Sequence, residues 1–244
     1  MPSRRAILVV AALLLSAVCA LAQVDKPLVR FGLIADPQYA DQDNKLGRNY
    51  RQAKDMYRQT LARLNQEPDL AFIMVLGDII DGAKDDDMAQ MLALAADSRV
   101  PVKFLAGNHD LQRHSEEQLK AFFGVDDLFY DFAAGGVRFV VINSQDVSLV
   151  ADEASGRQQA AKDFLAAHNG VQFNSYDGML SAERRQWLRD KLEAANTAGE
   201  DVVIFSHAPV WYLASSSRDL MWDHMEMLAV LDGCPRLRGF FAGH

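Results

Sequence analysis

The sequence predicts an α/β fold, and two observations carry the prediction. Short apolar, β-branched runs alternate with helix-like segments, and acidic, amide and imidazole residues follow directly on the ends of those runs. Runs short enough for buried strands lie at 29–35, 70–76, 102–106, 137–142, 202–205 and 237–242. Helix-like segments lie at 48–65, 86–96, 115–123, 181–196 and 218–231. Ser115 with Gln118 reads as a capping box, and Ser181 as an N-cap. The stretch 148–177 fits neither period and reads as a long ordered loop or excursion.

The first residues have the layout of a cleavable signal peptide: Arg4 and Arg5, an apolar run from 6 to 18, then small residues at Ala20 and Ala22. The run is shorter than the roughly 20 residues that span a bilayer, so no stable membrane anchor is expected once residues 1–22 are removed. The expectation is an exported bacterial protein, periplasmic or secreted, with one domain over residues 23–244. Cys234 is then the only cysteine, which rules out an intramolecular disulfide. A formal net charge of −8 argues against a surface that tracks a polyanion, so nucleic acid is not an expected partner.

The chemistry sits where the strand runs end. Asp36 and Gln38 follow the first, Asp78 the second, Asn108 and His109 the third, His207 the run at 202–205 and His244 the last. Loops beyond the carboxyl ends of such strands converge on one crevice. One Asp in such a place is an ordinary turn residue or cap. The whole set supplies hard oxygen and borderline nitrogen donors suited to divalent metals.

The strings IADPQYAD, LGDIIDG, AGNHD, FSHAP and FFAGH, in that order, resemble the successive blocks of the calcineurin-like metallophosphoesterases. Gln38, where the general family has His, together with Tyr39, Ala40, Asp41 and the RNYRQ string, resembles the manganese-dependent ADP-ribose/CDP-alcohol diphosphatase subgroup. The resemblance implies a two-sheet β-sandwich flanked by helices (α/β/β/α), with Asp36 and Gln38 on a first metal, Asp78 bridging two metals, and Asn108, His207 and His244 on the second. It implies that His109 protonates the leaving group or stabilises charge in the transition state, with Asp110 the candidate to orient its ring. The oxygen-only donors Asp36, Gln38 and Asp78 favour manganese or magnesium, and the two histidines leave iron or zinc admissible at the second site. A small-molecule phosphate substrate follows: phosphoanhydrides such as ADP-ribose or a CDP-alcohol, with cyclic nucleotides or phosphomonoesters as the enzymatic alternative.

The family's last block continues, one residue past the Gly-His pair, to a second His that completes the first metal site. This sequence ends at His244, so the resemblance implies a truncated C-terminus, and a non-catalytic metal- or phosphate-binding remnant is the competing expectation. Gly77, Gly107 and Gly243 read as sharp turns beside the metals. Asp41 and Asp81 read as loop carboxylates or caps ahead of groups that tune the metal ligands, Trp187, Trp211 and Trp222 as core ahead of a nucleobase-lining role, and Cys234 as a buried small hydrophobe. For Arg48 and Arg51, a solvated helix face and a phosphate contact are equal readings.

Overall fold

Strands buried on both faces read as unbroken apolar runs rather than as alternating ones, and the strongest runs here behave in that way. The computed structural model describes residues 29–45, 47–81, 86–168, 173–215 and 219–244. The expected signal peptide at 1–22 lies outside the described residues, as does Arg218. One sheet is parallel, in the order β1 (Arg30–Ile34), β2 (Leu70–Val75), β3 (Val102–Phe104). The second is mixed, in the order β4 (Tyr130–Ala134), β5 (Val137–Val141), β8 (Asp201–Ser206), β9 (Leu237–Ala242). In it only β4 runs antiparallel to its neighbour. Two short strands, β6 (Val147–Ser148) and β7 (Gly178–Met179), pair with each other.

The period of two assigns each strand residue to a layer. Phe72 and Met74 of β2 face Phe139 and Val141 of β5 and Val203 and Phe205 of β8, forming the core between the sheets. Their neighbours Ile73 and Val75 face outward onto α1 (Tyr50–Leu64), α2 (Asp87–Ala96) and, beyond the short α3 (Asn108–Leu111), α4 (Glu116–Phe123) through Tyr57, Leu61, Met88, Met91 and Leu119. On the other side Val140, Val202 and Ile204 meet Leu188 and Leu192 of α6 (Ala182–Ala198) and Met227 and Val230 of α7 (His224–Asp232). The result is the α/β/β/α sandwich that the resemblance implied. Phe72, Phe139 and Phe205 interlock at its centre, with ring centroids 4.8 Å apart for the first pair and 5.7 Å for the second. Phe139 is fully buried, and Phe139→Ala should cost about 3–5 kcal/mol. Chemical unfolding checks this, and a loss below about 1 kcal/mol would mean the cavity collapses or the core is laid out differently.

The capping box at Ser115 and the Ser181 cap form as expected: Gln118 N–H donates to Ser115 Oγ at 3.2 Å, and Arg184 N–H donates to Ser181 Oγ at 3.2 Å. Two expectations need correction, and one strand adds to those expected. The stretch 148–177 is not a plain loop, because it carries α5 (Arg157–Ala167). Only Ala161 of that helix is fully buried, with Phe164 and Leu165 packed beside Trp222, so its apolar stripe is too thin to show a period. The last helix starts at His224 rather than near 218, because residues 219–223 form the turn that returns to the site. Strand β4 went unread because YDFAA lacks β-branched residues. The signal for it was the Gly135–Gly136 pair, at φ 57° and 78°, which makes the two-residue turn into β5.

Asp223 pins the base of that returning turn. Its Oδ2 accepts from Arg185 Nη1 at 2.8 Å and from Leu180 N–H at 3.2 Å. Burial pushes its carboxyl up to about 6, against the pull of Arg185. The folded state therefore holds a proton between about pH 4 and 6 that the unfolded chain has released. This contribution favours folding below about pH 4 and is lost as pH rises through about 6. Relative to Asp223→Asn, which cannot titrate, the native protein should lose roughly 3 kcal/mol of stability across that window. Unfolding curves of both proteins at pH 4 and pH 7 check it, and a pH-independent difference would contradict it.

Candidate metal centre

The loops that leave β1, β2 and β9 enter the site through left-handed backbone. Asp36 (φ 49°), Gln38 (φ 50°), Asp78 (φ 48°) and His244 (φ 67°) all have positive φ. Each such non-glycine position costs of order 1–3 kcal/mol and persists only where its surroundings enforce it. Here the enforcement is backbone pairing between loops: Gln38 N–H donates to Asp78 O at 2.8 Å and Tyr39 N–H to Ile79 O at 3.1 Å. The loops also pack closer than a side chain permits. A Cβ on Gly107 would lie 2.1 Å from Asp78 Oδ1, and one on Gly243 would lie 2.6 Å from Asp36 Oδ2.

These loops bring the strand-end residues together. A cavity of about 400 Å³ is walled by Asp36, Gln38, Asp78, Asn108, His109 and His244, with Arg48, Gln112, Tyr176 and Asp219 at its sides. His207 lies fully buried beneath it. Its Nδ1–H donates to Leu76 O at 2.8 Å, which turns Nε2 toward Asp78 Oδ1 at 3.3 Å, Asn108 Oδ1 at 3.1 Å and His244 Nδ1 at 2.9 Å. One donor atom each from Asp78, His207 and His244 falls within 4.8 Å of the others. Asp36 accepts the His244 N–H through both oxygens, at 2.9 and 3.1 Å.

The electrostatics of the cluster call for positive charge. Burial alone would raise Asp78, but His207 and His109 overturn it and hold its carboxyl below the usual carboxylate range. Burial works against charge on His207, yet Asp78 and Asp36 outweigh it and raise the ring to about 9. Burial pushes Asp36 up, opposed by His207. Convergent nitrogen and oxygen donors, glycines that clear space around both carboxylates, and this excess of negative charge fit a divalent cation. The residues beside Asp36 fit a second, oxygen-ligated one, with one condition. Gln38 presents its amide nitrogen to Asp78 Oδ2 at 3.2 Å, so holding a cation requires the opposite amide orientation.

His109 stands at the edge of the cluster, its N–H donating to Asp78 Oδ1 at 3.0 Å. Its Nδ1 lies 2.7 Å from Asp81 Oδ1, and its Nε2 is 3.9 Å from Asp78 Oδ2. The expected partner, Asp110, is used elsewhere. Its carboxylate accepts the N–H groups of Ile79, Ile80 and Gly107 at 2.9, 3.2 and 2.9 Å, stitching the loops after β2 and β3 together. Burial and the neighbouring charge of Asp78 push its pKa up to about 7, against those N–H donors. Asp81 is the residue that orients the His109 ring, and its other oxygen holds Arg48 Nη1 at 2.7 Å.

A profile of the calcineurin-like phosphoesterases matches residues 29–244. The chain belongs to that family. Over 91% of its length it is 30% identical to the manganese-dependent ADP-ribose/CDP-alcohol diphosphatase of Mus musculus, covering 79% of that protein. It is 28% identical to the Xenopus tropicalis protein of the same name, covering 91% of this chain and 80% of the relative. The crystal structure of a dimetal phosphatase from Danio rerio superposes with a TM-score of 0.80 at 30% identity, covering 90% of this chain and 82% of that one.

Several features of this phosphoesterase site were out of reach of the sequence. Asp81 lies three residues after Asp78, where a loop carboxylate and a ring-orienting one look alike. Asp177, Tyr176 and Asp219 come from the stretch around α5 and the turn before α7, without any strand end to mark them. Arg48 reaches the cavity wall, whereas Arg51 is held outside it by Asp41 and Asp43, both at 2.6 Å. Trp222 is core and Trp187 packs on Phe129, as expected, but Trp211 is exposed. Cys234 is buried.

Proposed function

We propose that this phosphoesterase hydrolyses the phosphoanhydride of nucleoside diphosphate derivatives, of which ADP-ribose and the CDP-alcohols are examples, with two divalent cations and a preference for manganese. In this reading Asp36 and Gln38 hold the first cation, Asp78 is shared, and Asn108, His207 and His244 hold the second. The observation that carries it is the convergence of Asp78, His207 and His244, with the His109–Asp81 pair at the rim of the same cavity. The relatives named as manganese-dependent diphosphatases support the choice of metal and substrate, as does the oxygen-only donor set around Asp36.

When bound, the cation pair supplies Lewis acidity toward the phosphoryl oxygens and an activated water. The chain's own residues do the rest. Asp36 and Asp78 concentrate negative charge that fixes where cations bind, and the Leu76 carbonyl fixes the His207 ring. Asp81 holds His109 by Nδ1, which leaves Nε2 to deliver a proton to the departing oxygen. Arg48 and Gln112 line the cavity on the His109 side, where a second phosphate meets a guanidinium already oriented by Asp81.

The test is hydrolysis of ADP-ribose and CDP-choline against cyclic AMP and a phosphomonoester, each with Mn2+ and with chelator. Diphosphates cleaved fastest, and only with metal, uphold the reading, and preference for a cyclic nucleotide or monoester overturns the substrate class. The basic and apolar pattern of residues 1–22 supports export, with the mature chain acting in the periplasm or outside the cell. N-terminal sequencing of the protein from a periplasmic fraction tests that, and a retained Met1 overturns it.

A further inference from the structure

Asp177 has no place in the reaction described so far, yet it is fully buried beside the site. Its Oδ1 lies 2.8 Å from His244 Nε2. A carboxylate accepts there, so Nε2 carries the proton and Nδ1 faces His207 Nε2 at 2.9 Å. The other oxygen, Oδ2, is buried without a hydrogen-bond partner among the described residues. A carboxylate buried with so little support is costly. Such a group is retained where its charge is used, and here its carboxylate meets the far nitrogen of a ring that points into the donor cluster.

The surrounding loop holds Asp177 in place independently of His244. Asp177 N–H donates to Asn174 O at 3.2 Å, and Gln145 Nε2 donates to Tyr176 O at 3.2 Å. Trp222 Nε1 donates to Asn174 O at 3.0 Å, and Gly178 begins the strand paired with Ser148. His207 has its own orienting partner, the Leu76 carbonyl. The two imidazoles are thus set by two different acceptors, one neutral and one anionic.

We propose that Asp177 is a positioning residue of the metal centre: it fixes the His244 tautomer that turns Nδ1 to the cation and strengthens that ring as a donor. The inference rests on the two-cation reading above. A carboxylate behind a ligating imidazole sets both ring orientation and basicity, and its loss weakens metal binding by about 10–100-fold.

The test is Mn2+ binding by calorimetry to the native chain, Asp177→Asn, Asp177→Ala and Asn174→Ala. The last disturbs the same loop without touching the His244 contact. Asp177→Ala should weaken one Mn2+ site by about 10–100-fold, Asp177→Asn by less because an amide oxygen still accepts from Nε2–H, and Asn174→Ala not at all. Nitrogen-15 imidazole spectra of the native chain loaded with diamagnetic Mg2+ give a second readout that needs no variant to fold: His244 should carry its proton on Nε2. Native Mn2+ affinity in Asp177→Ala, equal weakening in Asn174→Ala, or a proton on His244 Nδ1 overturns the inference and leaves the proposed function standing. A native chain that binds no Mn2+ overturns both.

Discussion

Asp78→Asn should reduce kcat/KM by roughly 10³-fold or more while the chain stays folded, because several kcal/mol of charge stabilisation goes at about 1.4 kcal/mol per tenfold. The Asp78 carboxylate lies between three residues of the site. Its Oδ1 meets His207 Nε2 at 3.3 Å and the His109 N–H at 3.0 Å, and its Oδ2 meets the Gln38 amide at 3.2 Å. Asparagine matches the shape and removes the charge, so the Gly107 backbone that packs against this side chain has no reason to move. The loss should appear together with weaker Mn2+ binding, since the shared anion is what lets two cations sit side by side. Steady-state kinetics and calorimetry on the same preparation read both, and activity within tenfold of native would remove Asp78 from the shared position.

His109→Asn should separate from that result in kind. With Mn2+ binding retained, kcat should fall by about 10²–10⁴-fold, the range for loss of a positioned general acid. The loss should be smaller for a nitrophenyl ester than for ADP-ribose, because a nitrophenolate departs without needing a proton. Asp81→Asn should give an intermediate loss with the same dependence on leaving group. Asp81 acts on proton delivery through the ring it holds at 2.7 Å, and its hold on Arg48 adds a loss that does not depend on the leaving group. A uniform loss across leaving groups would assign His109 to binding rather than to proton delivery.

How much of this was legible in the sequence depended on whether a residue's role is marked by what surrounds it along the chain. Strands β2, β5 and β8 are buried on both faces, so their runs needed no tertiary information. Strand β4 and helix α5 are each supported mainly by neighbours far away in sequence, and their own patterns are weak. The same division holds at the site. Asp36, Asp78, Asn108, His109, His207 and His244 each follow a strong run, and one cavity collects them. Asp177 lies 67 positions before His244, and no local pattern in the sequence encodes their meeting. The choice between Asp81 and Asp110 turned on which carboxylate the backbone N–H groups of 79, 80 and 107 claim, which is a tertiary fact.

In the proposed function one cavity holds two cations between Asp36, Gln38, Asp78, Asn108, His207 and His244. Equilibrium dialysis of the metal-free chain against Mn2+, with elemental analysis of the protein, tests it most directly. The arrangement predicts about two Mn2+ per chain, falling to one or none in Asp78→Asn. A native chain that saturates at a single ion, or an Asp78→Asn chain that still binds two, would contradict it.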